Sequence, residues 1–207
     1  GNEQPVRDYI RSQLITKVDS LKTDKMGNLL AENKGTETDF PKVVISAHMD
    51  EIGLFITEIT AEGYLKFLPV GSIDPVVLLA KPVKINDIYG VIGSKAIHLQ
   101  KPDERKQVLQ IDQLYIDIGA SSKEEAEQVV NLGDYAVFTS DFQCFGSGYY
   151  KAKALDNRAG CAVIMQILAG KYSCDLTGLF TVQEETGLRG SQVASNYLAA
   201  DLAIVVE

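Results

Sequence analysis

A change of pattern along the chain limits the folds that it can adopt. From about residue 67 to residue 148, short β-prone runs are broken by prolines and glycines, with one helical stretch near residues 123–130. On both sides of this segment, apolar runs of strand length occur together with stretches in which apolar residues recur at helical spacing. Such alternation is typical of α/β domains with parallel strands, whereas the middle is typical of a small all-β unit.

We therefore predict an α/β fold in which a parallel or mixed sheet is interrupted by a small, β-barrel-like inserted domain. Residues 1–66 and 149–207 would form one discontinuous domain, and residues 67–148 would form the insert. A chain of 207 residues is compatible with this division. Apolar residues make up 45% of the chain and charged residues 23%, which is the composition of a folded domain and excludes a disordered one.

Composition also restricts the partners and the compartment. The formal net charge is -8, and this acidic excess repels phosphate backbones, so we expect no nucleic-acid partner. The longest apolar runs have five residues, as at Val76–Ala80, whereas a membrane span needs about 20, so we expect no membrane association. No signal peptide is visible and the three cysteines lack metal or disulfide spacing, so we expect a cytoplasmic protein.

The run PKVVISAH predicts a strand, and an acidic residue follows its histidine by two positions. His48 and Asp50 would then project to the same side, with Cα atoms roughly 6.5 Å apart. One ring nitrogen of His48 could bind a metal while the other donates to the carboxylate, as metal-bound histidines usually require. Taken alone, a polar pair at the surface is the more common explanation of this spacing.

Acidic residues also stand where other predicted elements begin or end. Asp156 precedes an amphipathic helix that runs to about Gly170, where an aspartate is ordinarily an N-cap but can also bridge two cations. Glu184 and Glu185 directly follow an apolar strand, which is where α/β proteins keep their sites. Glu207 follows the run LAIVV, which predicts a buried strand.

The two adjacent glutamates repel each other unless a cation lies between them, and a solvated acidic turn is the alternative. In extended backbone Glu184 and Glu185 would point to opposite sides, so that one could bind metal while the other acts as a general base. Histidine and carboxylates from four separate places form a hard nitrogen and oxygen ligand set. Such a set suits zinc, cobalt or manganese.

Four motifs, AHMDEIG, ALDNRAG, VQEETGLRG and AIVVE, occur in this order, with the β-rich segment between the first and the second. Together they resemble the dinuclear metallo-aminopeptidases that form tetrahedral dodecamers, known as glutamyl or deblocking aminopeptidases. The whole chain resembles the first three-fifths or so of such an enzyme. The resemblance implies a zinc-peptidase-like catalytic domain, peptide substrates and two divalent metal ions per subunit, with zinc or cobalt preferred and manganese as a further option.

The resemblance implies four metal ligands: His48, Asp156, Glu185 and Glu207. Asp156 would bridge both metals, His48 and Glu207 would complete the first site, and Glu185 would bind the second metal. It also implies two residues that act in catalysis without binding metal, Glu184 and Asp50. Glu184 would be the general base toward a metal-bridged water that attacks the first peptide carbonyl, and Asp50 would orient His48.

A further histidine, downstream of the position that Glu207 matches, completes the second metal site in this family. His98 does not match it, because it lies in the insert, where GSKAIHLQK predicts a strand. We therefore expect the natural chain to continue beyond Glu207. The resemblance also implies that the insert pairs subunits into dimers, that these assemble into a homododecamer, and that the peptide bond between Asp156 and Asn157 is cis.

Other functions remain open on the sequence. The same metal pair could serve a deacylase, a carboxypeptidase or a glycanase, and the chain could also be a metal-free scaffold or binding protein. The sequence does not indicate whether an acidic, an apolar or a basic first residue would be preferred.

Overall fold

A computed structural model describes residues 1–103 and 108–207 of the chain. In chain order the helices and strands are α1 (Gln4–Leu14), β1 (Ser20–Thr23), β2 (Leu29–Asn33), β3 (Lys42–His48), β4 (Gly53–Ile59), β5 (Leu65–Val70), β6 (Pro82–Ile85), β7 (Ile88–Ser94), β8 (Leu114–Asp117), α2 (Lys123–Glu127), β9 (Tyr135–Phe138), β10 (Gln143–Phe145), β11 (Tyr149–Lys151), α3 (Leu155–Leu168), β12 (Asp175–Thr181), α4 (Arg189–Ala194) and β13 (Leu202–Val205). These elements fall into two compact units, residues 1–51 with 154–207 and residues 52–153.

The second unit extends further in both directions than the insert that we predicted at residues 67–148. Strand β4, which the sequence assigned to the flanking domain, pairs with β5 on one side and with β9 on the other. Because β9 belongs to the middle of the chain, this pairing places β4 in the second unit. The unit therefore begins at Ile52 and ends at Lys153.

The first unit is a five-stranded mixed sheet with helices on both faces. Its strand order is β1-β2-β12-β3-β13, and β3 runs parallel to both β12 and β13, while β2 is antiparallel to β1 and β12. Alternate residues of a strand point to opposite faces. Leu29 and Ala31 accordingly pack in the cluster that contains α1 and α3, and Leu30 packs with Ala194 of α4. The predicted mixed α/β fold is confirmed.

Strand β13 differs from the prediction that it is buried. All four of its residues are exposed, with Val205 70% accessible. The strand lies at the edge of the sheet and pairs with β3. It is therefore an edge strand of the first unit as the structure describes it.

The parallel strands determine where the functional side chains lie. Thr181, the last residue of β12, is level with His48, the last residue of β3, and Val205 of β13 is level with Ser46. The carboxyl ends of β3, β12 and β13 therefore meet at one edge of the sheet, which is where open α/β sheets bind ligands.

The second unit is a closed six-stranded barrel in the order β4-β5-β8-β7-β6-β9, as the β-rich composition predicted. Its interior is filled by apolar side chains such as Leu54, Ile56, Leu65 and Ile92. His98 does not lie in a strand as we predicted. The amide of Leu99 donates to the carbonyl of Ala96 and closes a short 3₁₀ turn, in which His98 is exposed.

None of the helices in the described ranges has both the length and the apolar character needed to cross a bilayer.

Candidate metal centre

All six residues that the motifs single out belong to the first unit and lie close to element ends. His48 ends β3, and Asp50 follows it by two positions. Glu184 and Glu185 follow β12, and Glu207 follows β13. The sixth, Asp156, lies in the first turn of α3.

The imidazole of His48 is 2% exposed and separates two sets of oxygen atoms. Its Nδ1 lies 3.2 Å from the backbone oxygen of Asp50 and 3.4 Å from Oδ1 of the same residue. Since both are acceptors, Nδ1 carries a proton and donates it. The Nε2 atom lies 3.0 Å from Asp156 Oδ1, 3.7 Å from Glu207 Oε1 and 3.8 Å from Glu184 Oε2. The contact between Nδ1 and Asp50 is the one that the spacing of His48 and Asp50 predicts, and metal binding at Nε2 stays a prediction.

Asp50 also holds the segment that carries the two glutamates. Its Oδ1 accepts the amide of Glu184 and its Oδ2 accepts the amide of Glu185, each at 3.0 Å. Burial raises the pKa of Asp50, but the hydrogen bonds from His48 and from these two amides outweigh burial and hold the pKa below its usual range. Asp50 is therefore ionised at neutral pH and connects His48 to the Glu184–Glu185 turn.

The two glutamates do not lie in extended backbone, so our expectation that they point to opposite sides is wrong. Gln183 has a φ of 53°, in the left-handed region, and this bends the chain directly after the strand. The carbonyl of Glu184 then accepts the amides of Gly187 and Leu188, which closes a turn. As a result both carboxylates come within ligand distance of the same His48.

Asp156 is not the N-cap of α3. The backbone at Asp156 and Asn157 is non-helical, and the peptide bond between them is cis, as the resemblance implies. The capping contact is made by Asn157, whose Oδ1 accepts the amide of Gly160 at 3.1 Å. The carboxylate of Asp156 is thus free to approach His48, and it remains 74% exposed.

Residues that the sequence did not single out fix this geometry. The Nδ2 atom of Asn157 donates to the backbone oxygen of Val206 at 2.6 Å and to Glu207 Oε2 at 3.2 Å. The guanidinium of Arg158 donates to the carbonyl of Met49 and to the carboxylate of Glu51. Asn157 and Arg158 are visible in ALDNRAG, but their partners are about 50 or more positions away, so no local pattern predicts the pairs.

The crowding of carboxylates changes the acidity of the cluster. Burial lowers the pKa of His48, but the hydrogen bond and charge of Asp50, with the charges of Glu184 and Glu207, outweigh it and raise the pKa to about 9. Burial raises the pKa of Glu184 and of Glu185, and neighbouring carboxylates raise both further against the opposing charge of His48. The cluster therefore favours an added positive charge, which is a proton in the metal-free protein.

The donor atoms fit divalent metal ions. In the part of the chain that the structure describes, two groups of three residues each place one donor atom per residue within 4.8 Å of the others. One group is His48, Asp156 and Glu207, and the other is His48, Glu184 and Glu185. An imidazole nitrogen with carboxylate oxygens suits zinc, cobalt or manganese. A cation here would replace the proton and compensate the crowded negative charge.

A cysteine lies behind the histidine but is not reactive. The thiol of Cys161 donates to the backbone oxygen of His48, and burial raises its pKa to about 12. A buried thiol whose pKa is raised in this way is protonated at neutral pH and is not an activated nucleophile.

Solved structures share this fold. An aminopeptidase from the archaeon Desulfurococcus kamchatkensis matches with a TM-score of 0.90 and 36% identity, over 99% of this chain and 57% of that one. The TET1 peptidase of Pyrococcus horikoshii, which can assemble into a tetrahedron or a large octahedral shell, matches with a TM-score of 0.86 and 34% identity, over 99% and 63%. A Thermotoga maritima structure described as an endoglucanase matches with a TM-score of 0.82 and 39% identity, over 100% and 61%.

The fold thus places the chain among proteins that include aminopeptidases. A model of the M42 glutamyl aminopeptidase family matches residues 27–207. The chain belongs to this family, and the resemblance drawn from the four motifs is confirmed.

Curated relatives agree with this assignment. A protein of Acetivibrio thermocellus is 40% identical over 209 residues, which cover 100% of this chain and 61% of the relative. The lysyl aminopeptidase of Pyrococcus furiosus is 32% identical over 210 residues, which cover 98% of this chain and 60% of the relative. The chain therefore spans about three-fifths of the length of these relatives.

Proposed function

We propose that this protein is a metal-dependent aminopeptidase, which releases the first residue of a peptide by hydrolysis. The observation that carries the proposal is the convergence of three separate segments on one atom. Asp156, Glu184 and Glu207 each place a carboxylate oxygen 3.0 to 3.8 Å from Nε2 of His48. Buried histidines satisfied by ordinary packing need one acceptor, so three carboxylates around one nitrogen favour a cation site.

Two divalent ions are the proposed cofactors, zinc or cobalt in preference and manganese as an alternative. His48, Asp156 and Glu207 would hold the first ion, and Asp156 with Glu185 would contribute to the second. When bound, such ions polarise a carbonyl group and lower the pKa of a water molecule. The three carboxylates among these ligands nearly balance the charge of two divalent ions, so the ions would be held without losing their acidity.

Glu184 is the proposed general base. Its side chain is 28% exposed, so it is accessible to a substrate, and its Oε2 lies 3.8 Å from Nε2 of His48, beside the proposed metal ligands. Glu184 would take a proton at a carboxylate oxygen from the attacking water and later deliver it to the leaving amine. Asp50 supports this step indirectly, since it fixes Nδ1 of His48 and the amide of Glu184.

Selection of the peptide N-terminus follows from charge. A free α-amino group is positively charged, and the cluster presents carboxylates that are partly open to solvent, among them Asp156 and Glu207. The amino group would bind close to these carboxylates, so that the first peptide bond is the one presented for hydrolysis. An acetylated N-terminus lacks the charge and would be a poor substrate.

The proposal is tested with the full-length protein loaded with zinc or cobalt. A panel of aminoacyl p-nitroanilides with acidic, apolar and basic residues is compared with their N-acetylated forms. We expect release of p-nitroaniline from at least one free aminoacyl substrate, and at least about tenfold slower release from its acetylated form, because the charge that the carboxylates bind is gone. Elemental analysis of the same sample measures the metal, and a sample that takes up no divalent ion would support the metal-free scaffold instead.

A glycanase is the second candidate, because a Thermotoga maritima structure of the same fold is described as an endoglucanase. The same metal-loaded protein is incubated with soluble polysaccharides, and reducing ends are measured. Release of reducing ends without any aminoacyl hydrolysis would favour the glycanase over the aminopeptidase.

We further propose that the protein forms a homo-oligomer, with the second unit pairing subunits into dimers that assemble into a dodecamer. Exposed apolar side chains of that unit, Val76, Val77 and Leu79, suit a subunit interface. The assembly of the TET1 peptidase of Pyrococcus horikoshii supports the same expectation. Light scattering of the full-length protein should give a mass close to twelve subunits, and a monomer mass would contradict the proposal.

A further inference from the structure

We infer that Asn28 is a positioning residue for the turn at residues 182–190, which carries Glu184 and Glu185. The inference rests on the proposed function, because it assigns Asn28 a part in presenting those two carboxylates to a metal. Asn28 itself lies in the turn between β1 and β2, well away from the four motifs in sequence.

The side chain of Asn28 is fully buried and bonds to both ends of that turn. Its Oδ1 accepts the amide of Val182 at 3.0 Å, and its Nδ2 donates to the carbonyl of Gly190 at 2.9 Å. The amide of Gly190 also donates to the carbonyl of Val182. Asn28 therefore clamps the two points at which the chain enters and leaves the Glu184–Glu185 turn.

The bond between Asn28 and the amide of Val182 is the first of four similar contacts along the turn. Four consecutive amides donate to side-chain oxygens from elsewhere in the first unit: Val182 to Asn28 Oδ1 at 3.0 Å, Gln183 to Glu3 Oε1 at 3.2 Å, Glu184 to Asp50 Oδ1 at 3.0 Å and Glu185 to Asp50 Oδ2 at 3.0 Å. The turn is thus held by side chains and not by a neighbouring strand. Two of its residues, Gln183 and Leu188, have left-handed φ angles, which persist only where the surroundings enforce them.

Asn28 is itself held rigidly. Oδ1 of Asp24 accepts the amides of Met26, Gly27 and Asn28, and Oδ2 accepts Nδ2 of Asn28 at 2.7 Å. The hydroxyl of Tyr197 donates to the same Oδ2 at 2.6 Å. Tyr197 lies in the segment after α4. The β1–β2 turn therefore also bonds to the chain beyond the glutamate turn. Because these bonds hold the side chain of Asn28 in one rotamer, it can set the position of the turn backbone to which it bonds.

Asparagine is the residue that this place requires. It supplies the acceptor for Val182 and the donors for Gly190 and Asp24 on one planar group. An aspartate would keep the acceptor, lose both donors and place a second carboxylate against Asp24. An added Cβ at Gly190 would collide with Oδ1 of Asn28, so the close approach depends on glycine at that position.

The experiment measures zinc binding by calorimetry on the chelator-treated full-length protein and on its Asn28→Ala variant. We expect the variant to bind zinc at least about tenfold more weakly, because the glutamate turn loses both of its clamped ends. Hydrogen exchange of peptides that cover residues 182–190 should accelerate in the variant. This second readout needs neither activity nor metal.

The matched control is Asn33→Ala, which removes the same type of side chain from the far end of β2, the strand that follows Asn28. Asn33 also donates to a carbonyl, that of Leu168, and accepts an amide, that of Asp19. The first of these hydrogen bonds is only partly buried and the second is exposed, so its loss should lower the melting temperature modestly and leave zinc affinity and exchange at 182–190 within about twofold of wild type.

Each outcome decides the inference. Unchanged zinc affinity and unchanged exchange in Asn28→Ala would overturn it, as would equal effects in Asn33→Ala. If wild type binds no zinc, the proposed function fails, while faster exchange at 182–190 would still support the clamp. If Asn28→Ala does not fold, Asn28→Ser is measured in its place, since it keeps a small polar side chain and adds no charge against Asp24. If that variant also fails to fold, Asn28 is a residue of the folding core and the positioning role is rejected.

Discussion

Replacement of Glu184 by glutamine is expected to remove nearly all turnover while the metal content stays unchanged. Glutamine keeps the size of the side chain and one oxygen, but it cannot accept the proton of the attacking water. General acid–base catalysis of this kind contributes about 10²–10⁴-fold, so we expect kcat to fall at least about 100-fold. The measurement is steady-state hydrolysis of the best aminoacyl p-nitroanilide, with elemental analysis of the same sample.

Glu37→Gln serves as the control for that experiment. Glu37 is exposed in the same unit and accepts a hydrogen bond from Ser173, so the same change of chemistry is made away from the cluster. Its kcat and metal content should equal those of wild type. If Glu184→Gln kept more than a tenth of the rate, Glu184 would not be the base. Loss of metal together with rate would instead assign Glu184 to the ligands, next to Glu185 in the second donor group.

The convergence of these side chains could be predicted from the sequence because each one stands at the end of a helix or strand. A strand with the apolar pattern of β3 or β12 runs through the sheet. His48, at the end of β3, and the two glutamates, which follow β12, therefore lie at the carboxyl edge of the sheet. Parallel pairing then brings those ends together without further information. The same reasoning predicted the α/β class, since the period of apolar residues distinguishes strand from helix over most of the chain.

Details that depend on contacts between distant residues were not predictable in this way. The bend at Gln183, which turns both glutamates toward His48, is enforced by Glu3, Asn28 and Asp50, and no local pattern specifies a left-handed glutamine. Asn28 and Gly190 are 162 positions apart. For Asp156 the local pattern was misleading. An acid before a helix predicts an N-cap, whereas here Asn157 caps the helix and Asp156 contacts His48.

The boundary between the two units and the pairing of the strands were not predictable for a related reason. An alternating apolar run such as β4 has the same pattern in a barrel as in an open sheet, and only its pairing with β9 assigns it to the second unit. Apolar β13 has the pattern of a buried strand, and among the described residues it pairs on one side only, with β3. Pattern specifies the type of element, whereas partners specify its burial.

The second large effect is expected for Asp50→Asn, which should weaken both the metal site and the fold. The carboxylate is 8% exposed and accepts the amides of Glu184 and Glu185 in addition to the contact with Nδ1 of His48. Asparagine has the same shape, but its NH₂ group would face one of these donors in either orientation. A buried donor left unpaired costs about 1–3 kcal/mol of unfolding free energy. We also expect zinc affinity to fall about 10–100-fold, because His48 and the glutamate turn lose the group that orients them.

Calorimetric zinc titration and urea unfolding of the full-length protein measure the two effects of Asp50→Asn, with Asp175→Asn as the control. Asp175 likewise accepts a backbone amide, that of Gly35, and pairs with Lys34, but it is partly exposed and lies at the start of β12, at the other end from the glutamates. Water can replace its contacts, so Asp175→Asn should cost little stability and leave zinc affinity unchanged. Wild-type zinc affinity in Asp50→Asn would mean that His48 and the turn are oriented without Asp50. Because Glu184→Gln should keep its metal and Asp50→Asn should bind zinc more weakly, the pair of variants separates the group that moves the proton from the group that arranges the ligands.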